Sequence, residues 1–402
     1  VHKKLHRNIN VIYGLAFFQS FMVIVPVIVP FFIEKGLSLA DIFYLQAVFT
    51  TVIVVFEAPS GYFADVFGRK NALVIGSVIH GVVYFYLNFA DELTSLIIFE
   101  ISVGIAASLL SGADLTLLYD TQKTLQDEAE IEHSKAISQL GFFRSSSEGL
   151  GALLGGALAL WSFEVMVMVM VQSTAAGMCL ILALLIIEPP YKKSKEEVNR
   201  IQIGAVLRHL FKSDPVLRNV VIAIPLYGLA TVHAAWLMQP YWEAQGISLA
   251  MFGLLWFSQS IVVAVAARFG FVIERRYGAI RSLVLMGLLP IVGHFGMAWA
   301  NGWQGILIGL LLFACRGLNQ VILVNAMNRR IPSEFRATAN SFTSFLFRLA
   351  FIGSGPLVGY LAQTEGLAMT LDVLGLTSIM LFVFVMLPLI QSVKAIEQPV
   401  AA

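Results

Sequence analysis

The chain has 402 residues, 58% of them hydrophobic and only 13% charged, with a formal net charge of +1 and a mean hydropathy of +0.81. A soluble domain carries about 25% charged residues, so this composition excludes a soluble globular fold and demands a polytopic membrane protein. The net charge points to no partner, and nothing here calls for nucleic acid; what matters is where the charges lie.

Taking about 20 apolar residues per crossing, the first half holds six spans, near Val11 to Ile33, Leu39 to Ser60, Ala72 to Ala90, Leu93 to Leu118, Ala136 to Trp161 and Phe163 to Ile187. Lys3, Lys4 and Arg7 precede the first of these, which is too long for a signal peptide and lacks a small-residue cleavage site; it reads as an uncleaved span behind a cytoplasmic N-terminus. EPPYKKSKEEVNR then breaks the apolar pattern with proline and charge, and IQIGAVLRHLFK alternates apolar and basic residues as an interfacial helix would. Six further spans follow, near Val216 to Met238, Leu249 to Ile273, Ile280 to Ala300, Trp303 to Met327, Ala337 to Gln363 and Ala368 to Ile390. The expected domains are therefore an N-terminal six-helix bundle (1–187), a cytoplasmic linker with an interfacial helix (188–215) and a C-terminal six-helix bundle (216–402). The two cysteines, Cys179 and Cys315, both fall inside spans and read as structural thiols; no metal-ligand spacing and no cofactor motif is present.

Charge orients this plan. Loops on one side hold Arg69, Lys70, Lys123, Lys135, Lys192, Lys193, Lys195, Arg200, Arg275, Arg276, Arg281, Arg329, Arg330 and Arg336, whereas loops on the other hold only Lys35. Basic residues collect on the cytoplasmic side, so both termini are expected there.

The halves also repeat. FFRSSSEGLGALLGGALA from Phe142 is echoed by LFRLAFIGSGPLVGYLA from Leu346, with Arg144 matching Arg348 and Gly151 matching Gly355 at one shift (348 − 144 = 204 and 355 − 151 = 204). GFVIERRYG, Gly270 to Gly278, echoes GYFADVFG, Gly61 to Gly68, with Glu274 in the place of Asp65. Between the second and third spans the chain must reverse through GYFADVFGRK, where Gly61 and Gly68 suit close-packed helix ends and unusual backbone angles. Asp65 and Arg69 are spaced as helical neighbours able to pair.

At this loop the sequence resembles the major facilitator superfamily, whose hallmark between spans two and three reads roughly G-x-x-x-D-(R/K)-x-G-R-(R/K). Gly61, Asp65, Gly68, Arg69 and Lys70 match it, with Val66 in place of the first basic residue. The resemblance implies an all-α transmembrane protein of twelve spans, two six-helix bundles related by pseudo-two-fold symmetry, with a substrate site between repeats. It also implies a conformational latch, in which Asp65 faces the start of the eleventh helix and Arg69 pairs with an acid ending the fourth, Asp120. The plainer reading is a turn that satisfies the positive-inside rule. Gly151, Gly155 and Gly156 resemble the family's antiporter motif G-P-x-x-G-G, with Ala152 where the motif has proline. Helix packing explains them equally, as it does Gly149 and the counterparts Gly355, Pro356 and Gly359 in the eleventh span.

Ionisable groups inside spans are costly and mark function by default. On a continuous fourth helix, Glu100 and Asp114 share a face with Ala107 and Ser111, a small polar stripe suited to a cavity wall. Asp114 is preferred over Glu100 as a proton site; Glu57, on the second span, supports either the latch or a proton relay. Where Glu100 stands, family members often carry an arginine. Arg144 and Glu148 are an i, i+4 pair that can neutralise itself. With Arg316 and Arg348, Arg144 also offers a clamp for an anionic group, or bracing against Glu148 and Asp114. His233 reads as a neutral core residue or a cavity residue; Trp236 and Gln239 are assigned to the cavity and Trp242 to an interfacial aromatic belt. Pro26, Pro30 and Pro225 would let the first and seventh spans bend.

The expected function is secondary active transport of a small amphipathic organic molecule by alternating access, as proton-coupled efflux of a drug or metabolite. The alternative is uptake or facilitated diffusion of an anion such as a siderophore or carboxylate. An enzyme is not expected, because no G-x-S-x-G, H-E-x-x-H or P-loop occurs, and a soluble output domain for a sensor has no room. The expected setting is the lipid bilayer of a bacterial inner membrane, with a monomeric chain using protons and a small-molecule substrate.

Overall fold

A computed structural model of the chain describes residues 2–111, 113–125, 130–161, 165–189, 203–332 and 335–397. The helices in chain order are α1 (His2–Gln19), α2 (Ile28–Glu34), α3 (Leu39–Phe67), α4 (Arg69–Tyr86), α5 (Leu93–Leu110), α6 (Ala113–Leu125), α7 (Glu130–Trp161) and α8 (Val165–Leu185). After α9 (Ile203–Lys212) come α10 (Pro215–Ala244), α11 (Leu249–Tyr277), α12 (Ala279–Trp299), α13 (Gly302–Leu318), α14 (Val324–Arg330), α15 (Arg336–Thr364), α16 (Gly366–Leu381) and α17 (Leu387–Glu397). Ten helical runs among the described residues are long and apolar enough to cross a membrane. The predicted fifth span is α7, and the predicted first span is divided between α1 and α2.

Two compact units are present: Val1–Ser194 with Ser248–Phe257, and Lys195–Ile247 with Ser258–Ala402. In the first unit α1 stops at Gln19, and the chain runs irregularly to a 3-10 turn at Val25–Val27 that carries Pro26. Hydrocarbon offers no hydrogen bonds, so an unwound stretch at membrane depth survives only when lodged in protein. Here the fully buried Gln172 of α8 accepts the Val23 N–H at 2.7 Å, and the Ser147 hydroxyl of α7 donates to the Phe17 carbonyl. Gly151 and Gly155 of α7 lie directly on this stretch. A Cβ on Gly155 would collide with the Val23 carbonyl oxygen, and one on Gly151 would sit 2.9 Å from the Met22 nitrogen.

The fourth span is broken too, contrary to the continuous helix expected. Ser111 leaves α5 in an extended conformation (ψ 127°), and α6 restarts at Ala113. The shared stripe of Glu100, Ala107, Ser111 and Asp114 therefore does not exist, because helical phase is lost across the break. The reversal after the second span is also placed differently. Gly61 lies within α3, with nothing within 4 Å of a Cβ built on it, and Gly68 alone turns the chain, at φ +97°. Gly278 does the same between α11 and α12, at φ +84°.

The second unit is built on a core from α10, α12, α13, α14 and α17. Val206 and Leu210 of α9 are buried in that core, so both side chains rest on protein. Asp214 caps α10 by accepting the Val216 N–H at 2.9 Å, with Pro215 in the first turn where its missing N–H costs nothing. α13 passes into α14 through a π-helical turn at Asn319–Leu323, and a second such turn, Phe382–Met386, joins α16 to α17. Trp242 is 1% exposed, which removes it from any interfacial belt: the end of α10 packs inward, and Tyr241 beside it donates to the Ala300 carbonyl at 3.1 Å.

Both units use an asparagine to tie their first and last long helices. Asn8 donates to the Ile187 carbonyl at 2.5 Å and accepts the Ile187 N–H at 3.1 Å; Asn219 donates to the Ser392 hydroxyl at 2.9 Å and the Pro388 carbonyl at 3.3 Å. The thiols are fully buried, Cys179 with its sulfur 3.9 Å from the Leu15 carbonyl oxygen and Cys315 3.5 Å from that of Met286.

Two substitutions test the packing of the broken first span. Gly155→Val forces a branched side chain into the Val23 carbonyl and is expected to lower stability by about 1–3 kcal/mol or more, read as a fall in the thermal midpoint of the purified protein. Gln172→Leu removes the acceptor for Val23 and is expected to cost about 1–3 kcal/mol by the same measurement.

Candidate functional site

The loop between α3 and α4 is held by three carboxylates. Arg69 forms an ion pair with Asp120 of α6, which is 1% exposed, and reaches the exposed Asp65 one turn before it at 3.9 Å. Glu188, just past the end of α8, supplies the third: its carboxylate accepts the Lys70 N–H at 3.2 Å, at the first turn of α4. Negative charge at a helix N-terminus is favourable by about 0.3–1 kcal/mol. The same carboxylate fills the space beside Gly68, where a Cβ would come within 2.6 Å of it. The Lys70 ammonium donates in turn to the Leu184 carbonyl at 3.0 Å. Sequence reading missed Glu188 by assigning it to the polar linker, although an acid at the first polar position after a span was the available signal.

Deeper in the first unit, Asp114 is fully buried in the first turn of α6 and forms an ion pair with Arg144 of α7. The break at Ser111 creates this arrangement, because it gives the fourth span a second helix N-terminus with an acid in its opening turn. Glu148, one turn beyond Arg144, is exposed. Glu100 is buried apart from this pair and accepts a hydrogen bond from the Gln46 side-chain amide of α3 at 2.9 Å. Glu57 lies exposed farther along α3.

Gly156 of α7 meets the start of α11 within the first unit; a Cβ there would lie 2.9 Å from the Ala250 carbonyl oxygen and 3.1 Å from the Gly253 Cα. Gly151, Gly155 and Gly156 are thus sites of backbone contact. In the second unit Gly355 and Gly359 are buried and Pro356 is half-buried on α15.

His233 is buried, its ring nitrogen 2.9 Å from the Ser354 hydroxyl and its ring stacked on Phe351 at 5.8 Å. Trp236 is half-buried and Gln239 is 1% exposed. Arg316 opens onto a cavity of about 310 Å³ bounded by α10, the π-helical turn and α15, whose walls include Asn319, Asn340, Ser344 and Phe347. Arg348, next to Phe347 on α15, is half-buried. A larger, almost wholly apolar cavity of about 530 Å³ lies beside the broken first span, walled by Phe18, Phe21, Met170 and Met178.

Three comparisons bear on this arrangement. The family model of the Major Facilitator Superfamily matches residues 9–355. The uncharacterized MFS-type transporter YxaM of Bacillus subtilis is 23% identical over 375 residues, 91% of this chain and 90% of that protein. The quinolone resistance protein NorA of Staphylococcus aureus is 22% identical over 317 residues, 77% of this chain and 78% of its own. Among solved structures, a bacterial homolog of the human lysosomal transporter Spinster, inward-facing and unoccupied, superposes with a TM-score of 0.76 at 16% identity, covering 100% of this chain and 99% of its own. The nucleoside transporter NupG superposes with a TM-score of 0.68 at 13% identity, covering 98% of this chain and 99% of its own. With described residues that are helical, ten runs of membrane-crossing length and a family model matched over residues 9–355, the chain is an all-α membrane transporter and belongs to the Major Facilitator Superfamily.

Proposed function

We propose that this transporter exports a small amphipathic organic molecule in exchange for protons, with Asp114 as the proton-accepting group. The observation that carries the proposal is the ion pair between the fully buried Asp114 and the part-exposed Arg144, which joins the restarted half of the fourth span to the fifth. The buried carboxylate is matched only while both partners are ionised; breaking a fully buried pair costs about 3–5 kcal/mol, and solvent at the part-exposed guanidinium brings the cost here below that. One proton crossing a membrane potential delivers about 2.3 kcal/mol per 100 mV, which is the right size to drive that break. Protonation of Asp114 removes the counter-charge of Arg144 and frees the two spans to move apart.

Glu100 is the second proton candidate, because a neutral amide rather than a cation faces it. Likeness to a quinolone resistance protein supports the direction and the substrate class. We assign the halves 1–187 and 216–402 to the two moving bodies, joined by 188–215, with a monomeric chain and both termini on the cytoplasmic side of a bacterial inner membrane. The loop 61–70 acts as their latch, released when Arg69 parts from Asp120.

Proteoliposomes with an imposed pH gradient and a fluorescent quinolone test the exchange. Wild type is expected to accumulate the probe. Asp114→Asn is expected to lose gradient-driven flux by about tenfold or more, an energetic change of at least about 1.4 kcal/mol, while downhill exchange persists. Flux that ignores the gradient and survives both Asp114→Asn and Glu100→Gln would overturn proton exchange in favour of facilitated diffusion. For the latch, a double-mutant cycle of Arg69→Met and Asp120→Asn on transport rate is expected to show a coupling of about 0.5–3 kcal/mol; additive effects would leave the loop a simple turn.

A further inference from the structure

Arg316 stands fourteen residues from each end of the run Gly302–Arg330 (316 − 302 = 14 and 330 − 316 = 14). At 1.5 Å per residue that is about 21 Å from either end, the middle of a hydrocarbon layer about 30 Å thick. A guanidinium at that depth is costly unless an anion or a water-filled cavity receives it. Among the described residues Arg316 makes no ion pair, in contrast to Arg144, whose charge Asp114 already neutralises.

What surrounds Arg316 is a recess of about 310 Å³, at the lower end of the range for small-molecule sites. Among the described residues no Asp or Glu lines it. Its polar wall consists of neutral amides and hydroxyls, among them Asn319, Asn340 and Ser344, and its apolar wall includes Phe347, whose ring rests against Gly228. Asn319 donates to the Ile224 carbonyl at 3.1 Å, while its side-chain oxygen finds no donor among the described residues. The π-helical turn that opens at Asn319 shifts the helix register just after Arg316, and such turns recur at functional sites. One uncompensated cation, neutral hydrogen-bonding neighbours and an aromatic face together describe a site for one negative group on an otherwise apolar molecule. A guanidinium receives a carboxylate through two parallel N–H···O bonds.

We infer that this recess in the second unit binds the carboxylate of an organic acid with an aromatic or apolar body, with Arg316 as its counter-ion. The inference rests on the chain being a transporter and narrows its substrate class; it is independent of the direction of transport and of proton coupling.

The test is equilibrium binding to the purified full chain in lipid nanodiscs, with no gradient and no flux, using the fluorescence of dansylglycine and of its methyl ester. The acid is expected to bind saturably and about tenfold or more tighter than the ester. Arg316→Gln is expected to bring the two affinities together. Ser344→Asp, which adds a carboxylate to the recess without truncating anything, is expected to do the same, and it decides the matter if Arg316→Gln does not yield a monodisperse protein. Arg316→Lys is expected to retain part of the preference. Absence of saturable acid binding, equal affinity of wild type for acid and ester, or a preference that survives the tested charge-altering variants would overturn the inference. Loss of gradient-driven transport in other assays leaves this result untouched, so the two proposals fail separately.

Discussion

The constraint on which this fold depends is that a polar group at membrane depth must find its partner inside the protein. Most of the chain obeys it by being helical. Where the helix is abandoned, the structure shows what replaces it. At the break in the first span Gln172 supplies the missing acceptor, and two glycines let a neighbouring helix close over the exposed backbone. At the break in the fourth span the new helix start carries its own acid, which is matched by an arginine from the next span. Each irregularity therefore comes with a dedicated partner on α7 or α8, and those two helices hold the first unit's irregular elements in place.

The units share a plan but not an electrostatic solution. Asn8 and Asn219 make similar ties, and Gly68 and Gly278 make similar turns. Yet Gly68 is packed against the Glu188 carboxylate, whereas among the described residues nothing lies within 4 Å of a Cβ built on Gly278. The fourth span carries an acid, Asp114, in an ion pair with Arg144, whereas the tenth span, its counterpart, carries a cation, Arg316, that opens onto a recess. In a duplicated architecture, such departures from symmetry separate the residues that carry a task from those that only repeat the scaffold.

Much of this was legible in the sequence because length and hydropathy are local properties. The apolar helices and the turn at Gly68 could be read without knowing any contact. The breaks were not. Ser111-Gly112 ahead of Asp114 was an available turn signal, but helical phase carried across it gave a false face to Glu100 and Asp114. Pro26 signalled a bend, but full unwinding depends on Gln172 and Gly155, which lie far along the chain. Glu188 looked like linker because its role appears only when the end of α8 meets the start of α4. Trp242 looked interfacial for the same reason, its position near a span end saying nothing of what packs over it.

Both native sulfhydryls being sealed in the interior has a practical side. A buried thiol in apolar surroundings is held as an unreactive thiol, so Cys179 and Cys315 are blind to maleimides and spin labels in the folded chain. A reporter cysteine placed on any exposed position can then be labelled in the otherwise unaltered protein. Distances between pairs of such labels could follow the working cycle in a bilayer without first rebuilding the core around two replacements.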